Sequence, residues 1–394
     1  MGQQHDWKHL SLCQRTVSFR KGWMKRKNYL FTFKKMDTDM SISQRCTTTM
    51  VYTNKVVTDD VGNLIKSINN DIDVIDKKPE TMKSDFFNFK TDIIWYIVLQ
   101  VALLHGIGIY GIFTFNYLEN PMTTLWIIGM YIISNFGVSA GAHRLWSHKC
   151  YKAKLPLRIL LLICFSACAQ STICKWMKNH RMHHKYCDTD ADPHNTQRGF
   201  FFAHVGWVVV KEHLEFTEKS KQLDLSDIMS DPVVAFGEKH FLLLQLFFGF
   251  ILPTALPVYF WNETWSRAII SQVFIRYMIT LNSVWTINSI AHAWGTRPYD
   301  KNIKPADNNF VNYVTMGEGY HNYHHVFSWD YRSAETGNNI MNYTTFFIDI
   351  FAKLGLAYDL RYPSLDLIKN IVLNRGDGTS YVVRQSTNIE IRLI

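Results

Sequence analysis

His180-Arg181-Met182-His183-His184 is the stretch from which the organisation of this chain can be worked out. In a helix, spacings of three and four residues bring all three imidazoles to one face. Such a face packs poorly unless something binds its nitrogens, and neutral imidazole is the commonest metal ligand in proteins. The same pattern recurs at His321-Asn322-Tyr323-His324-His325, and a looser pair, His143 and His148, precedes both. These eight of the sixteen histidines predict one metal site assembled from distant segments.

The number of imidazoles indicates two metal ions, because a mononuclear zinc site takes about four ligands. Imidazole suits zinc, copper, iron and nickel alike, so the ligand type leaves the metal open. A further ligand is predicted in Asn288-Ser289-Ile290-Ala291-His292, where a spacing of four puts the asparagine and the histidine on one helix face. Three acids after the second cluster are expected to be solvated or to support the ligands rather than to bind metal: Asp188, Asp190 and Asp192.

The net charge of +9 is concentrated near the N-terminus, where residues 1–35 hold nine lysines and arginines against one acid, Asp6. A nucleic-acid-binding arm is one interpretation. A solvated tail beside an anionic membrane surface is favoured because of the apolar segments that follow, and no nucleic-acid partner is expected. Residues 1–85 are therefore predicted to be a basic arm and polar linker, largely disordered.

Four apolar runs are long enough to cross a bilayer, at about residues 93–115, 122–142, 241–260 and 268–293. A fifth apolar segment, at about 155–174, predicts an amphipathic helix lying in the membrane interface, with a further span as the alternative. The prediction is an all-α membrane protein. Its four transmembrane helices and a cytosolic helical cap, which carries the histidine-rich dimetal site, occupy residues 86–362, and residues 363–394 form a C-terminal tail.

The order of spans and clusters predicts that all the clustered histidines lie on one side of the membrane, because two crossings separate the second cluster from the third. Residues 144–239 hold fourteen lysines and arginines, whereas the two short turns on the opposite side hold only Arg267. The positive-inside rule then puts the histidines and both termini in the cytosol. His105, inside the first run, is assigned to helix packing, with a functional role as the alternative. His194 and His204, which lack paired spacing, are interpreted as ordinary polar residues.

A metal pair beside membrane helices suits redox chemistry on a lipid. A GxGxxG spacing occurs at residues 106–111 and a GxSxG spacing at residues 137–141, but both lie inside apolar runs predicted to be helices and not at the strand-to-helix turn that each motif requires, and the chain has no P-loop. Its reducing power is therefore expected to come from a partner protein.

Three stretches resemble the histidine boxes of the membrane fatty acyl-CoA desaturase family. They are Gly141-Ala142-His143-Arg144-Leu145-Trp146-Ser147-His148, the stretch His180 to His184 with the following Asp192-Pro193-His194-Asn195, and Gly317-Glu318-Gly319-Tyr320-His321-Asn322-Tyr323-His324-His325. The tail from Trp329-Asp330-Tyr331 to Ala357-Tyr358-Asp359-Leu360 is similar to insect members especially. The resemblance covers roughly residues 85–362, and residues 1–80 match no recognised pattern.

This resemblance implies a multi-pass endoplasmic reticulum enzyme of the stearoyl-CoA 9-desaturase type with two iron ions held by nine histidines. One iron would take His143, His148, His180, His184 and His324, and the other would take His183, His292, His321 and His325. Asn288 corresponds to the family's asparagine that holds a metal-bound water. The implied reaction uses molecular oxygen and electrons from cytochrome b5, supplied by its NADH-dependent reductase, to insert a cis double bond into a saturated or monounsaturated acyl chain.

The resemblance also assigns substrate contacts. Gln170, Trp176 and Trp285 match positions of the acyl tunnel. The coenzyme A contacts of vertebrate members correspond here to Ile97, Ser171, Lys178, Asn179, Lys211 and Glu212. Lysine in place of arginine loses the bidentate fork suited to phosphate, and Glu212 reverses a charge. Recognition of the coenzyme A head group is therefore expected to be rearranged.

Three other functions remain open alternatives. A fatty acyl hydroxylase or acetylenase on the same scaffold differs only in its product. A catalytically inactive paralogue would be favoured by loss of one of the nine histidines, and none is missing. A metal transporter would need ligands along a pore, but only His105 lies in the middle of a predicted span.

Overall fold

The computed structural model describes residues 90–335 and 342–380, and most of these residues are helical. The predicted disorder of residues 1–85 lies outside this part of the chain. The one sheet among the described residues pairs two short antiparallel strands, β1 (Lys152–Ala153) and β2 (Ala357–Tyr358). The described part of the chain is thus mostly helical, as predicted.

Three helices are long and apolar enough to cross a membrane: α1 (Trp95–Thr114), α2 (Pro121–Ser147) and α9 (Phe241–Trp261). Large apolar side chains of α1 remain exposed, among them Leu99, Leu103 and Phe113. Exposed apolar surface of this extent is expected of a helix that faces lipid. These helices correspond to the first three predicted spans.

The fourth predicted span falls on α10, which runs over residues 265–293 as the consecutive helical segments Trp265–Ile269, Ile270–Arg276 and Tyr277–Ala293. Its length is sufficient, but Gln272, Arg276 and Asn282 lower its mean hydropathy, and it is not among the three helices above. The bent pair α3 (Leu155–Cys168) and α4 (Ile173–Tyr186) meets the same criterion only when taken together, across an 84° bend. Four spans therefore remain a proposal.

The bend between α3 and α4 corrects the single helix expected at about 155–174. Helix α3 ends at Cys168 because Ala169 adopts a left-handed conformation, with φ of 54°. The Thr172 side chain then accepts a hydrogen bond from the Lys175 N–H and caps α4. The exposed face of α3 is apolar rather than polar, since it carries Leu155, Ile159 and Leu160. The buried face packs closely on α2, and a Cβ added at Gly137 would lie 2.1 Å from the Phe165 nitrogen.

Two prolines in α9 leave carbonyls without their usual helical donors, and side chains of neighbouring helices replace those donors. Pro253 has no N–H for the Gly249 carbonyl, which instead accepts a hydrogen bond from the Arg276 guanidinium. Pro257 likewise leaves the Pro253 carbonyl to accept from Trp126 Nε1 at 2.9 Å. Arg276, fully buried, also donates to the Ala167 carbonyl at the end of α3, at 2.9 Å. It thereby joins α3, α9 and α10.

The other α-helices in the described part of the chain are short. They are α5 (Phe200–His204), α6 (Leu214–Ser220), α7 (Ser226–Met229), α8 (Pro232–Lys239), α11 (Asn309–Val314), α12 (His321–Val326), α13 (Tyr343–Lys353) and α14 (Leu365–Arg375). Helix α14 lies in the predicted tail and buries Ile368 and Val372 against Tyr299, Tyr323 and Phe327. The tail thus packs beside the helix that carries the third histidine cluster.

Candidate metal centre

The nine predicted ligands lie on four segments that converge. His143 lies in the last part of α2, where the helix widens to π-helical geometry over Gly137–Ser147, and His148 follows directly. π-helical segments occur frequently at functional sites. The second cluster lies on α4, His292 lies near the end of α10, and the third cluster makes up most of α12. The predicted helical setting of both HxxHH stretches is observed.

Five of these histidines form one group, here called the five-histidine group: His143, His148, His180, His184 and His324. One nitrogen of each lies within 4.8 Å of one nitrogen of every other. The Nε2 atoms are 2.7 Å apart between His148 and His180, 2.9 Å between His184 and His324, and 3.0 Å between His143 and His324.

The other four form a second group, the four-histidine group: His183, His292, His321 and His325. Here too, one nitrogen of each histidine lies within 4.8 Å of one nitrogen of every other. The His321 Nε2 lies 3.0 Å from the Nε2 of His292 and 3.1 Å from that of His325. These two groups have the same members as the two ligand sets that the sequence resemblance implied.

Ordinary hydrogen bonding does not account for these contacts, because single Nε2 atoms are shared. The His324 Nε2 faces two other Nε2 atoms, and so does the His321 Nε2. The His183 Nε2 is buried and has no hydrogen-bond partner among the described residues. Two nitrogens bound at a right angle to one ion at about 2.1 Å would lie about 3.0 Å apart. The donor sets therefore fit two metal ions.

Burial and neighbouring imidazoles together hold the pKa of six histidines well below the usual value: His148, His180, His184, His321, His324 and His325. A buried imidazolium is costly, and a second positive charge beside it raises that cost. These side chains are therefore neutral at physiological pH. Neutral imidazole, with a lone pair on one nitrogen, is the form that binds metal.

In the four-histidine group, the Nδ1 atoms of two imidazoles lie beside carboxylates. Both oxygens of Asp192 lie within hydrogen-bond reach of the His183 Nδ1, at 2.9 and 3.0 Å. Burial opposes the charged imidazole, yet Asp192 raises the pKa of His183 above its usual value. With Nδ1 bound to Asp192, Nε2 is directed into the group. Asp188 Oδ2 lies 3.6 Å from the His292 Nδ1, whereas Asp190 pairs with Lys90.

Glu318 and Arg144 support the five-histidine group, and neither was predicted to have a role. The buried Glu318 places Oε2 3.0 Å from the His143 Nδ1. Its Oε1 accepts hydrogen bonds from Arg144 Nε at 3.0 Å and Nη2 at 2.8 Å, and from the Ser139 hydroxyl. Although burial opposes ionisation, Arg144 holds the pKa of Glu318 well below its usual value. The only sequence signal is proximity to histidine clusters, which does not indicate that the two residues meet.

A cavity of about 950 Å³ reaches both histidine groups and is lined by His143, His180 and His321. Apolar side chains of α1 and α10 form part of its wall, including Leu104, Leu281, Val284 and Trp285. Charged and polar residues of α4 and of the segment after Val210 form another part. This combination suits a long apolar molecule with a polar end.

Eight of the nine predicted substrate contacts line this cavity, together with the predicted water-holding Asn288: Ile97, Gln170, Ser171, Trp176, Asn179, Lys211, Glu212 and Trp285. The ninth, Lys178, is not a lining residue. Its Nζ lies 4.0 Å from Glu212 Oε2 and 5.1 Å from the centre of the Phe216 ring. Glu212 therefore partly neutralises a cation that was expected to contact substrate.

His194 also lines the cavity, although it was interpreted as an ordinary polar residue. It packs edge-on against Trp207, with ring centres 4.2 Å apart, and lies 5.7 Å from His183. Burial lowers the pKa of His194 to about 3, so this imidazole is neutral. Its isolated position in the sequence gave no indication of this environment.

Comparison with known proteins gives one consistent result. The fatty acid desaturase family model matches residues 119–333. An acyl-CoA Delta-9 desaturase of Acheta domesticus is 47% identical over 294 residues, which are 75% of this chain and 82% of that protein. An acyl-CoA Delta(11) desaturase of Spodoptera littoralis is 47% identical over 74% of this chain and 86% of its own length. The stearoyl-CoA desaturase of Homo sapiens is 45% identical over 73% and 80%, respectively.

Proposed function

The chain belongs to the fatty acid desaturase family, and we propose that it is an oxygen-dependent fatty acyl-CoA desaturase with a di-iron centre. Its relatives are oxidoreductases of the acyl-CoA desaturase type, and so is this chain. The observation that carries the finer proposal is the pair of histidine groups beside a long, largely apolar cavity. The methylenes of an acyl chain have no polar group that a protein could recognise, so the shape of the cavity must select the carbons that react.

The proposed reaction removes two hydrogens from neighbouring methylenes of the acyl chain and leaves a cis double bond. Dioxygen takes up those hydrogens with two electrons and two further protons, and two water molecules form. The electrons are proposed to come from cytochrome b5 and its NADH-dependent reductase, since the chain has no P-loop and its GxGxxG spacing at residues 106–111 lies inside α1 rather than after a strand. The proposed location is the endoplasmic reticulum membrane, with the histidines and both termini cytosolic.

The proposed ligands of one iron are His143, His148, His180, His184 and His324, and those of the other are His183, His292, His321 and His325. When bound, the irons would activate dioxygen for abstraction of hydrogen from an unactivated methylene. Asp192 fixes the tautomer of His183, and Glu318 places a negative charge 3.0 Å from the His143 Nδ1. Asn288 is proposed to hold a metal-bound water.

The cavity residues are proposed to bind and orient the acyl-CoA. The indole Nε1 of Trp176 donates to Gln170 Oε1 at 3.1 Å, which fixes both side chains in the wall. Lys178, Lys211, Asn179 and Ser171 are proposed to contact the head group, with Glu212 as the residue that weakens this contact.

Expression in a yeast that lacks its own desaturase tests the proposal, with membrane fatty acids analysed by gas chromatography and mass spectrometry. New cis-unsaturated chains, absent with His143→Ala at equal protein level, are the expected result. Hydroxylated or acetylenic products would instead support a fatty acyl hydroxylase or acetylenase on the same scaffold. Iron-loaded protein that yields no new product would contradict the proposed function.

A further inference from the structure

Two histidines outside the nine proposed ligands are joined by a chain of hydrogen bonds behind the cavity wall. The His105 Nε2, on α1, lies 3.0 Å from Asn282 Nδ2 on α10. Asn282 Oδ1 lies 3.1 Å from the Nε2 of His204 on α5. The His204 Nδ1 lies 2.9 Å from the hydroxyl of Ser289, again on α10. Three separate helices therefore meet at one polar network.

The donors and acceptors of this network form a single consistent sequence. The His105 Nδ1 donates to the Val101 carbonyl at 2.8 Å, so its Nε2 accepts from the Asn282 amide. His204 Nε2 then donates to Asn282 Oδ1, and its Nδ1 accepts from Ser289. A polar network in which each donor has an acceptor favours one arrangement of its members.

The two imidazoles enclose Trp285, which lines the cavity. The His105 ring is nearly parallel to the indole, with centres 6.1 Å apart and an interplanar angle of 14°. The His204 ring meets it edge-on, with centres 5.8 Å apart. The Ser289 hydroxyl also lies 3.0 Å from the Trp285 carbonyl, so its one proton is shared between this carbonyl and the His204 Nδ1. Trp285, only 4% exposed, is therefore held on two sides of its ring and at its backbone.

Trp285 precedes His292 by seven residues on α10, so it lies on the same helix face about 10 Å from that proposed ligand. A shift of the indole along the cavity moves the acyl chain relative to the histidine groups. A shift by one carbon–carbon bond changes which methylenes react.

We propose that His105, Asn282 and His204 are positioning residues that fix Trp285 in the cavity wall and thereby set the position of the double bond. This inference rests on the proposed desaturase function. It assigns the network to regiospecificity rather than to helix packing alone, which was the role expected for His105.

The test compares double-bond position in products of the wild type, His105→Phe and Asn282→Leu in the same yeast strain. Phenylalanine keeps a ring against Trp285 but loses both hydrogen bonds, and leucine keeps the volume of the asparagine. Gln272→Leu is the matched control, because Gln272 is a buried amide on the same helix whose side chain, among the described residues, bonds its neighbour Ser271 and no other helix.

The expected result is a fall of roughly 3- to 20-fold in the ratio of the main isomer to displaced isomers, as loss of an interhelical hydrogen bond allows. Protein level and metal content should be unchanged, and Gln272→Leu should give the wild-type ratio. If Asn282→Leu does not accumulate, His105→Phe and Ser289→Ala, each milder, decide the question.

An unchanged isomer ratio in His105→Phe and Ser289→Ala, with a wild type that makes unsaturated chains, would overturn the inference and leave the proposed function intact. An equal shift in Gln272→Leu would also overturn it. A wild type that makes no unsaturated chain would instead contradict the proposed function, on which the inference rests.

Discussion

Asp192→Asn is expected to weaken metal binding at the four-histidine group. Each oxygen of this carboxylate accepts one backbone N–H, from Asp188 at 2.8 Å and from His194 at 2.9 Å, while both lie near His183 Nδ1. Asparagine has the same size, but its amide group places N–H hydrogens against one of those backbone donors. The His183 ring therefore loses both a negative charge and a fixed orientation.

The size of the expected loss of metal affinity follows from the role of a carboxylate that orients a ligating histidine. Removing the group that orients a ligating histidine typically lowers metal affinity by about 10- to 100-fold, or about 1.4–2.8 kcal/mol. Asp192 is buried at the four-histidine group, whereas the five-histidine group has its own carboxylate, Glu318. One of the two metal ions is therefore expected to be lost at lower chelator concentration, while the other is retained.

The measurement is the metal content of detergent-purified protein after dialysis against increasing chelator, determined by inductively coupled plasma mass spectrometry. Asp190→Asn is the matched control, since it makes the same chemical change two residues away. Asp190 bonds Lys90 at 2.8 Å and Asn195 at 3.3 Å, and it contacts neither histidine group. Equal metal retention in the two variants would refute the argument that Asp192 orients a ligand.

Three further substitutions have defined outcomes. His184→Ala should abolish desaturation and lower bound metal, because it removes one of five clustered nitrogens; unchanged turnover would remove His184 from the ligand set. Glu212→Lys should lower the KM for acyl-CoA several-fold by releasing Lys178, whereas Glu215→Lys, on the exposed face of α6, should not; equal KM values for all three proteins would place the head group elsewhere. Gly137→Ala should lower the free energy of unfolding by about 1–3 kcal/mol, because the new methyl meets backbone atoms of α3. Gly129→Ala, whose nearest neighbour lies 3.9 Å away, should not lower the thermal unfolding midpoint in detergent, and an equal loss would disprove the close-approach argument.

The histidine-bearing segments could be identified from sequence because helix geometry is local. Spacings of three and four residues place side chains on one face whatever the rest of the fold does. The same is true of apolar length, which indicated the helices α1, α2 and α9. The end of α3 was placed wrongly, because nothing at Ala169 resembles a usual helix stop such as glycine or proline.

Contacts between distant residues were decided by packing alone. Glu318 meets Arg144 across 174 positions, and Arg276 reaches carbonyls of two other helices. The Lys178–Glu212 pair and the His105–Asn282 bond likewise depend on how separate segments are oriented. The sequence by itself determined which segments carry clustered imidazoles and which are apolar enough to cross a membrane, because both properties follow from local spacing and composition. Only the tertiary structure decided which carboxylates support which imidazoles and what lies behind the cavity wall, because those contacts depend on the relative placement of helices far apart in the chain.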